Sequence, residues 1–240
     1  MARKVFAFAR DTELTASLDG AWADLRAAVR DRGFTFGHLL RDVDRMLYAV
    51  PDAPKSYAGQ DEVLATLLQA LFFSRRVRIR YRSLEPAAPR THTLCPLTLV
   101  FWRSALYIVA AYTPDGRPYL FAIDRIESAE RTADRFRYPR AQDYDPEDLF
   151  EGSFGIWQDP DGTATEVVLR FAARPWLHRY LRERTWHPSQ RFEPIDDGEL
   201  RMRMTVTSTI EVIPWVRSFG DDVSVEGPPA VVEAVGLGRG

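Results

Sequence analysis

The stretch Leu64-Ala65-Thr66-Leu67-Leu68-Gln69-Ala70-Leu71-Phe72-Phe73-Ser74-Arg75-Arg76-Val77-Arg78-Ile79-Arg80-Tyr81-Arg82 changes its period part-way along. Leu64, Leu67, Leu68, Leu71 and Phe72 fall on one face of a helix. From Val77 the apolar residues recur every second position. Val77, Ile79 and Tyr81 alternate with Arg78, Arg80 and Arg82, the pattern of a half-buried strand with a basic outer face. Further strands are expected at Thr93–Phe101, Leu106–Tyr112 and Pro118–Ile126, with Pro114-Asp115-Gly116 turning the chain between the last two. Several short strands after one helix predict a small SH3- or Sm-like β-barrel over residues 58–140, in a chain of the α+β class.

On the N-terminal side, residues 1–57 read as a helical linker or dimerisation segment. Leu14, Leu18, Trp22, Leu25 and Val29 form one amphipathic stripe; Phe36, Leu39, Leu40, Val43, Met46 and Leu47 form another. Gly33 separates them, and Pro51 and Pro54 end the second. Two such helices need each other and a partner to bury both stripes.

On the C-terminal side, residues 141–164 are rich in acids and turn formers and read as a linker. Residues 165–240 then alternate: a strand at Glu166–Phe171, a helix at Arg174–Leu181, and a hairpin of Arg191–Ile195 and Leu200–Val206 around Asp196-Asp197-Gly198. A helix at Ile210–Phe219 capped by Thr209 or Ser208, a strand at Asp222–Val225 and a helix at Pro228–Val235 complete an α+β sandwich.

With 240 residues, 45% of them hydrophobic, the chain can bury a substantial core. Its single cysteine, Cys95, rules out an internal disulfide and a cysteine metal cluster. His38, His92, His178 and His187 do not show the i, i+4 spacing of zinc hydrolases. No leader or apolar span is visible, so the expectation is a cytoplasmic protein without metal or cofactor.

The formal charge of -2 conceals an asymmetry. Between Leu64 and Arg140, thirteen arginines face six acids, a net of +7, leaving -9 for the remainder. Arginine matches phosphate with a planar fork and stacks on bases. Together with Tyr81, Tyr107, Tyr112, Tyr119 and Phe121, the arginines resemble a nucleotide-binding surface; the alternative is a solvated charged face. There is no phosphate loop and no Gly-x-Ser-x-Gly elbow. The acid pairs Asp145/Glu147 and Asp221/Asp222 sit in turn-like stretches, and Cys95 reads as a buried structural thiol. A protein that binds without catalysing is expected.

Several of these segments, in this order, are similar to a WYL domain: Val77–Tyr81, Arg90 to Pro96, Ala105-Leu106-Tyr107-Ile108-Val109-Ala110, and Phe121-Ala122-Ile123-Asp124-Arg125-Ile126. Trp186-His187-Pro188-Ser189-Gln190, Asp197-Gly198 and Trp215-Val216-Arg217-Ser218-Phe219-Gly220 resemble that family's C-terminal extension, and Leu18 to Leu47 its helical linker. The resemblance implies a bacterial transcription regulator whose barrel senses a nucleic-acid or nucleotide-like effector, whose extension helps it dimerise, and whose winged helix-turn-helix is absent from this chain. The namesake Trp-Tyr-Leu is Leu106-Tyr107-Ile108 here, and Leu97, Tyr119 and Ala122 depart from a common histidine and arginines.

The ligand-binding set is then Tyr81, Ser83, Arg90, His92, Arg117, Tyr119 and Arg125. Arg90, Arg117 and Arg125 would supply forks for phosphate, Tyr81 and Tyr119 ring faces or hydroxyls, Ser83 a short hydrogen bond and His92 a donor. Two rivals stand beside this sensor: an adaptor that binds a partner protein through the N-terminal helices, and a module that binds single-stranded DNA or RNA directly.

Overall fold

Asp61 and Glu62 place negative charge in the first turn of helix α1 (Asp61–Phe72), where the helix dipole favours it. The helix buries Val63, Leu64, Leu67 and Ala70 against the sheet that follows. Phe72, expected on that face, lies about 180° around the axis from Val63 and is 75% exposed. This structure, a computed structural model, describes residues 53–84, 88–113, 115–159 and 162–236; the two expected N-terminal helices lie outside them. The chain divides into two compact units, one ending at Tyr138 and one beginning at Pro139.

In the first unit, β1 (Arg75–Tyr81), β2 (Arg90–Trp102), β3 (Ala105–Tyr112), β4 (Pro118–Ala122) and β5 (Ile126–Arg135) form one antiparallel sheet in the order β4-β3-β2-β1-β5. Val77 and Ile79 are buried while Arg78 and Arg80 are exposed, as the alternation requires. Strand β2 serves both halves of the sheet, pairing β1 over Arg90–Leu94 and β3 over Leu94–Trp102. Pro96, which has no N–H to donate, sits beyond the pairing with β1 and beside a register shift against β3.

Two expectations need correction. Pro118–Ile126 is not one strand: Ile123–Arg125 is a 3-10 turn, and β5 begins at Ile126. Strand β5 carries no apolar alternation because it is an edge strand on which only Ile126 is fully buried. Nor does the sheet close into a barrel through backbone pairing; among the described residues β4 and β5 remain edges. It curls instead. Although β2 and β3 lie between their strands, the rings of Tyr81 and Phe121 approach to 5.2 Å. Ala122 N–H donates to Tyr81 Oη at 3.4 Å, and Arg82 N–H donates to the Arg125 carbonyl at 3.0 Å.

The second unit pairs β6 (Thr165–Phe171), β7 (Arg191–Pro194), β8 (Leu200–Val206) and β9 (Val223–Gly227) in the order β7-β8-β6-β9. Helices α3 (Pro175–Arg182), α4 (Val212–Arg217) and α5 (Pro229–Gly236) contribute Leu177, Leu181, Val212, Val216, Val231 and Val235 to its core. The opposite sheet face is an ion-pair lattice in which Arg201 and Arg203 engage Glu193, Glu226 and Glu166. The hairpin turn holds Asp197 at φ 61° and Gly198 at φ 74°, the left-handed pair that tight hairpins favour.

Helix α4 starts later than expected, and neither Thr209 nor Ser208 caps it. Pro214 cannot donate to residue 210, so the first regular turn forms downstream; Ser208 Oγ accepts from Ile210 N–H at 3.4 Å, ahead of that turn, and donates to Asp159 at 3.1 Å. The acidic stretch contains a short helix, α2 (Pro146–Phe150), and packs on this second unit. Glu211 Oε2 accepts from Ile156 N–H at 2.7 Å and Trp157 N–H at 3.0 Å. A Cβ on Gly155 would sit 2.1 Å from that carboxylate.

Candidate functional site

Period-two geometry puts Arg90 and His92 on one face of β2, and Arg117 and Tyr119 on one side of the entry to β4. The curl of the sheet then assembles a continuous run of rings. His92 lies 5.5 Å from Tyr112 and 5.8 Å from Phe121, centroid to centroid. Tyr81 meets Phe121 edge-on and His92 at 6.4 Å, and Tyr112 meets Tyr119 edge-on at 6.2 Å. These edge-to-face contacts are favourable and hold the rings in fixed orientations.

Tyr119 remains 43% exposed, and its hydroxyl donates to Asp115 Oδ2 at 2.8 Å. That bond holds the Asp115 carboxyl below the usual range and pushes the Tyr119 hydroxyl up. Asp115 Oδ1 also accepts from Arg117 N–H at 3.0 Å, while the Arg117 carbonyl accepts from Tyr112 N–H at 2.9 Å. One aspartate thus fastens the turn that presents both Arg117 and Tyr119. His92 is lowered from its ordinary 6.5, chiefly by burial and then by the charge of Arg90. It therefore stands as a neutral imidazole at pH 7, with one donor and one acceptor nitrogen.

The expected set divides accordingly. Tyr81, His92 and Tyr119 are brought together through Tyr112 and Phe121. Arg90 joins them by pairing across the sheet with Tyr81, and Arg117 through the turn. Ser83 is exposed, two residues beyond β1. Arg125 is half-buried in the 3-10 turn, where its carbonyl ties down Arg82. Asp124 does not pair with its neighbour Arg125: Lys55 Nζ takes both of its carboxylate oxygens at 2.7 Å, and lies 5.9 Å from the centre of the Tyr107 ring. Tyr112 and Phe121, which the sequence marked only as part of an aromatic surface, bridge the run. Their signal was position: Tyr112 ends the strand that pairs with the His92 strand.

The outer face of β1 is electrostatically quieter than its arginines imply. Arg80 and Arg82 both pair with Glu127, at 2.9 and 2.6 Å, and Arg78 approaches Glu130 at 3.8 Å. Cys95 is a half-buried free thiol, pushed up by burial. Among the described residues no three His, Cys, Asp or Glu side chains gather as a metal site. No helix among them is long and apolar enough to cross a membrane.

Known proteins bear on this architecture in two ways. The WYL domain matches residues 62–131 and the WCX domain residues 163–236. Among solved structures, the chain is similar to proteasome accessory factor B/C (PafBC) of Arthrobacter aurescens, with 19% identity and a TM-score of 0.35 over 77% of this chain and 27% of that one. It is also similar to a CRISPR Cas-related protein, with 12% identity and a TM-score of 0.47 over 73% of this chain and 49% of that one. The chain thus spans 27% and 49% of the lengths of these two proteins. No curated protein matches it. With the first match on the helix and curled sheet, and the second on the four-stranded unit, the chain carries a WYL domain followed by a WCX domain.

Proposed function

We propose that the WYL unit is a sensor that binds a nucleic-acid or nucleotide-like effector on the ring face of its sheet and relays occupancy to a DNA-binding module, without a catalytic step. The observation that carries this reading is the ring run Tyr81–Phe121–His92–Tyr112–Tyr119, beside Arg90 on β2 and Arg117 in the turn before β4. Bases stack on aromatic faces without regard to sequence, and guanidinium forks take phosphates. Binding biases a regulator only through a difference in affinity between two conformations. The N-terminal segment and the WCX domain are the parts through which a cytoplasmic homodimer would feel that bias.

The test is fluorescence anisotropy with labelled single-stranded DNA and RNA at two salt concentrations, using the chain and its Arg90→Ala/Arg125→Ala variant. The expected result is salt-sensitive binding that the variant weakens by tenfold or more, with a salt slope shallower by about 2. Equal binding by both proteins would remove the ring face from the account. Absence of any oligonucleotide binding by the folded chain would favour the adaptor that engages a partner protein.

A further inference from the structure

A second group of arginines lies near the C-terminus of α1. Strand pairing sets Arg75 directly across from Arg135, and Val77 across from Arg131, with a register shift between the two pairs. Like charges directly opposite on a sheet destabilise it. Arg78 and Arg80, further along β1, and Arg82 just beyond it are all answered by Glu127 or Glu130. By contrast, among the described residues Arg75, Arg131 and Arg135 have no carboxylate partner. Arg75 donates to the Ala133 carbonyl, and Arg131 donates to Gln69 Oε1 at 2.9 Å. Both contacts position a guanidinium without neutralising it. The dipole at the C-terminus of α1 offsets only about half a charge.

The three arginines line one concavity of about 660 Å³ with Phe73, Thr132 and Ala133. That is well above what a lone oxyanion needs and within the usual range for organic ligands, about 300 to about 1,000 Å³. Phe73 is 63% exposed, and Phe72 beside it is more so. A triple cation that no described carboxylate neutralises, with an exposed ring at its wall, matches a ligand that alternates phosphate and aromatic base.

We infer that Phe73, Arg75, Arg131 and Arg135 form a second nucleic-acid subsite, which holds the phosphates of a single strand on the three guanidinium groups and a base against Phe73. It does not depend on the ring face, because none of its residues belongs to that site. It explains why β5 keeps Arg131 and Arg135 at an edge where they face Arg75 and Val77 rather than acids.

The experiment titrates the chain with labelled oligothymidylates of about 6 and about 16 nucleotides, and in parallel with pyrophosphate and polyglutamate. The variants are Arg131→Gln/Arg135→Gln, Phe73→Ala, and Arg90→Ala/Arg125→Ala. The glutamine pair should weaken oligothymidylate binding at least tenfold and make the salt slope shallower by about 2. Phe73→Ala should weaken oligothymidylate binding but leave pyrophosphate binding unchanged. Thermal melting guards against misfolding: relief of the Arg75–Arg135 opposition should leave the melting temperature of the glutamine pair equal or higher. The inference is overturned if that pair binds oligothymidylate as the parent does. It is also overturned if polyglutamate competes as well as oligothymidylate and Phe73→Ala changes nothing, which would make the patch a docking site for acidic protein. Failure of the ring face shows only in the Arg90/Arg125 variant and failure of this subsite only in the Arg131/Arg135 variant, so the two results are read apart.

Discussion

Individual side chains carry structural duties that are open to direct test. Tyr57 is fully buried, and its hydroxyl accepts the Leu106 N–H at 2.6 Å; burial pushes that hydroxyl up to about 12. Tyr57→Phe leaves the Leu106 N–H without its partner and should cost about 1 to about 3 kcal/mol, measured by urea denaturation. Gly155→Ala should cost a similar amount, since a methyl there displaces the Glu211 carboxylate from the two N–H groups it accepts. His187 is buried and lowered from its ordinary 6.5 by that burial. A group whose folded value lies below its unfolded one adds stability that is full above the unfolded value and is lost as the pH falls through the folded one. The second unit should therefore melt at lower temperature as the pH drops below 6.5, and His187→Asn should flatten that dependence; an unchanged slope would remove His187 as its source. In the sequence Tyr57 looked like the end of a linker. Nothing in its neighbours announces a hydrogen bond to a residue 49 positions away.

Strands and helices were legible where burial is one-sided. Strand β1 and the strands β6 and β8 alternate, and each is found close to the expected place. Strand β5 was missed because an edge strand has little to bury, and only Ile126 along it is fully buried. Phe72 was misplaced because a stripe of leucines drew it in, while rotation along the helix carries it to the far side. The Glu127 pairing makes a prediction for this edge. Glu127→Gln should change stability by less than about 1 kcal/mol, since the paired side chains are exposed or partly so, but should strengthen oligonucleotide binding and steepen its salt dependence by freeing Arg80 and Arg82. A large loss of stability with unaltered binding would show that these pairs serve the fold alone.

The molecule has two separate cores, one of α1 with the curled sheet and one of the WCX unit. Phe171 is fully buried in the second core, and Phe171→Ala should destabilise that unit by about 3 to about 5 kcal/mol while leaving the transition of the first unit in place by calorimetry. The α+β class was legible from the switches of period, and the basic middle block from its arginines. The assembly of the ring face was not, because it depends on how far the sheet curls, and curl is a property of the whole sheet that no single strand encodes. The most direct test of that face is photo-crosslinking of the chain to single-stranded DNA carrying 4-thiothymidine, with the linked peptides mapped by mass spectrometry. The account predicts links to Tyr81, His92, Tyr112 or Tyr119, lost in the Arg90→Ala/Arg125→Ala variant. Links confined to the WCX unit, or links to the ring face that persist in that variant, would contradict it.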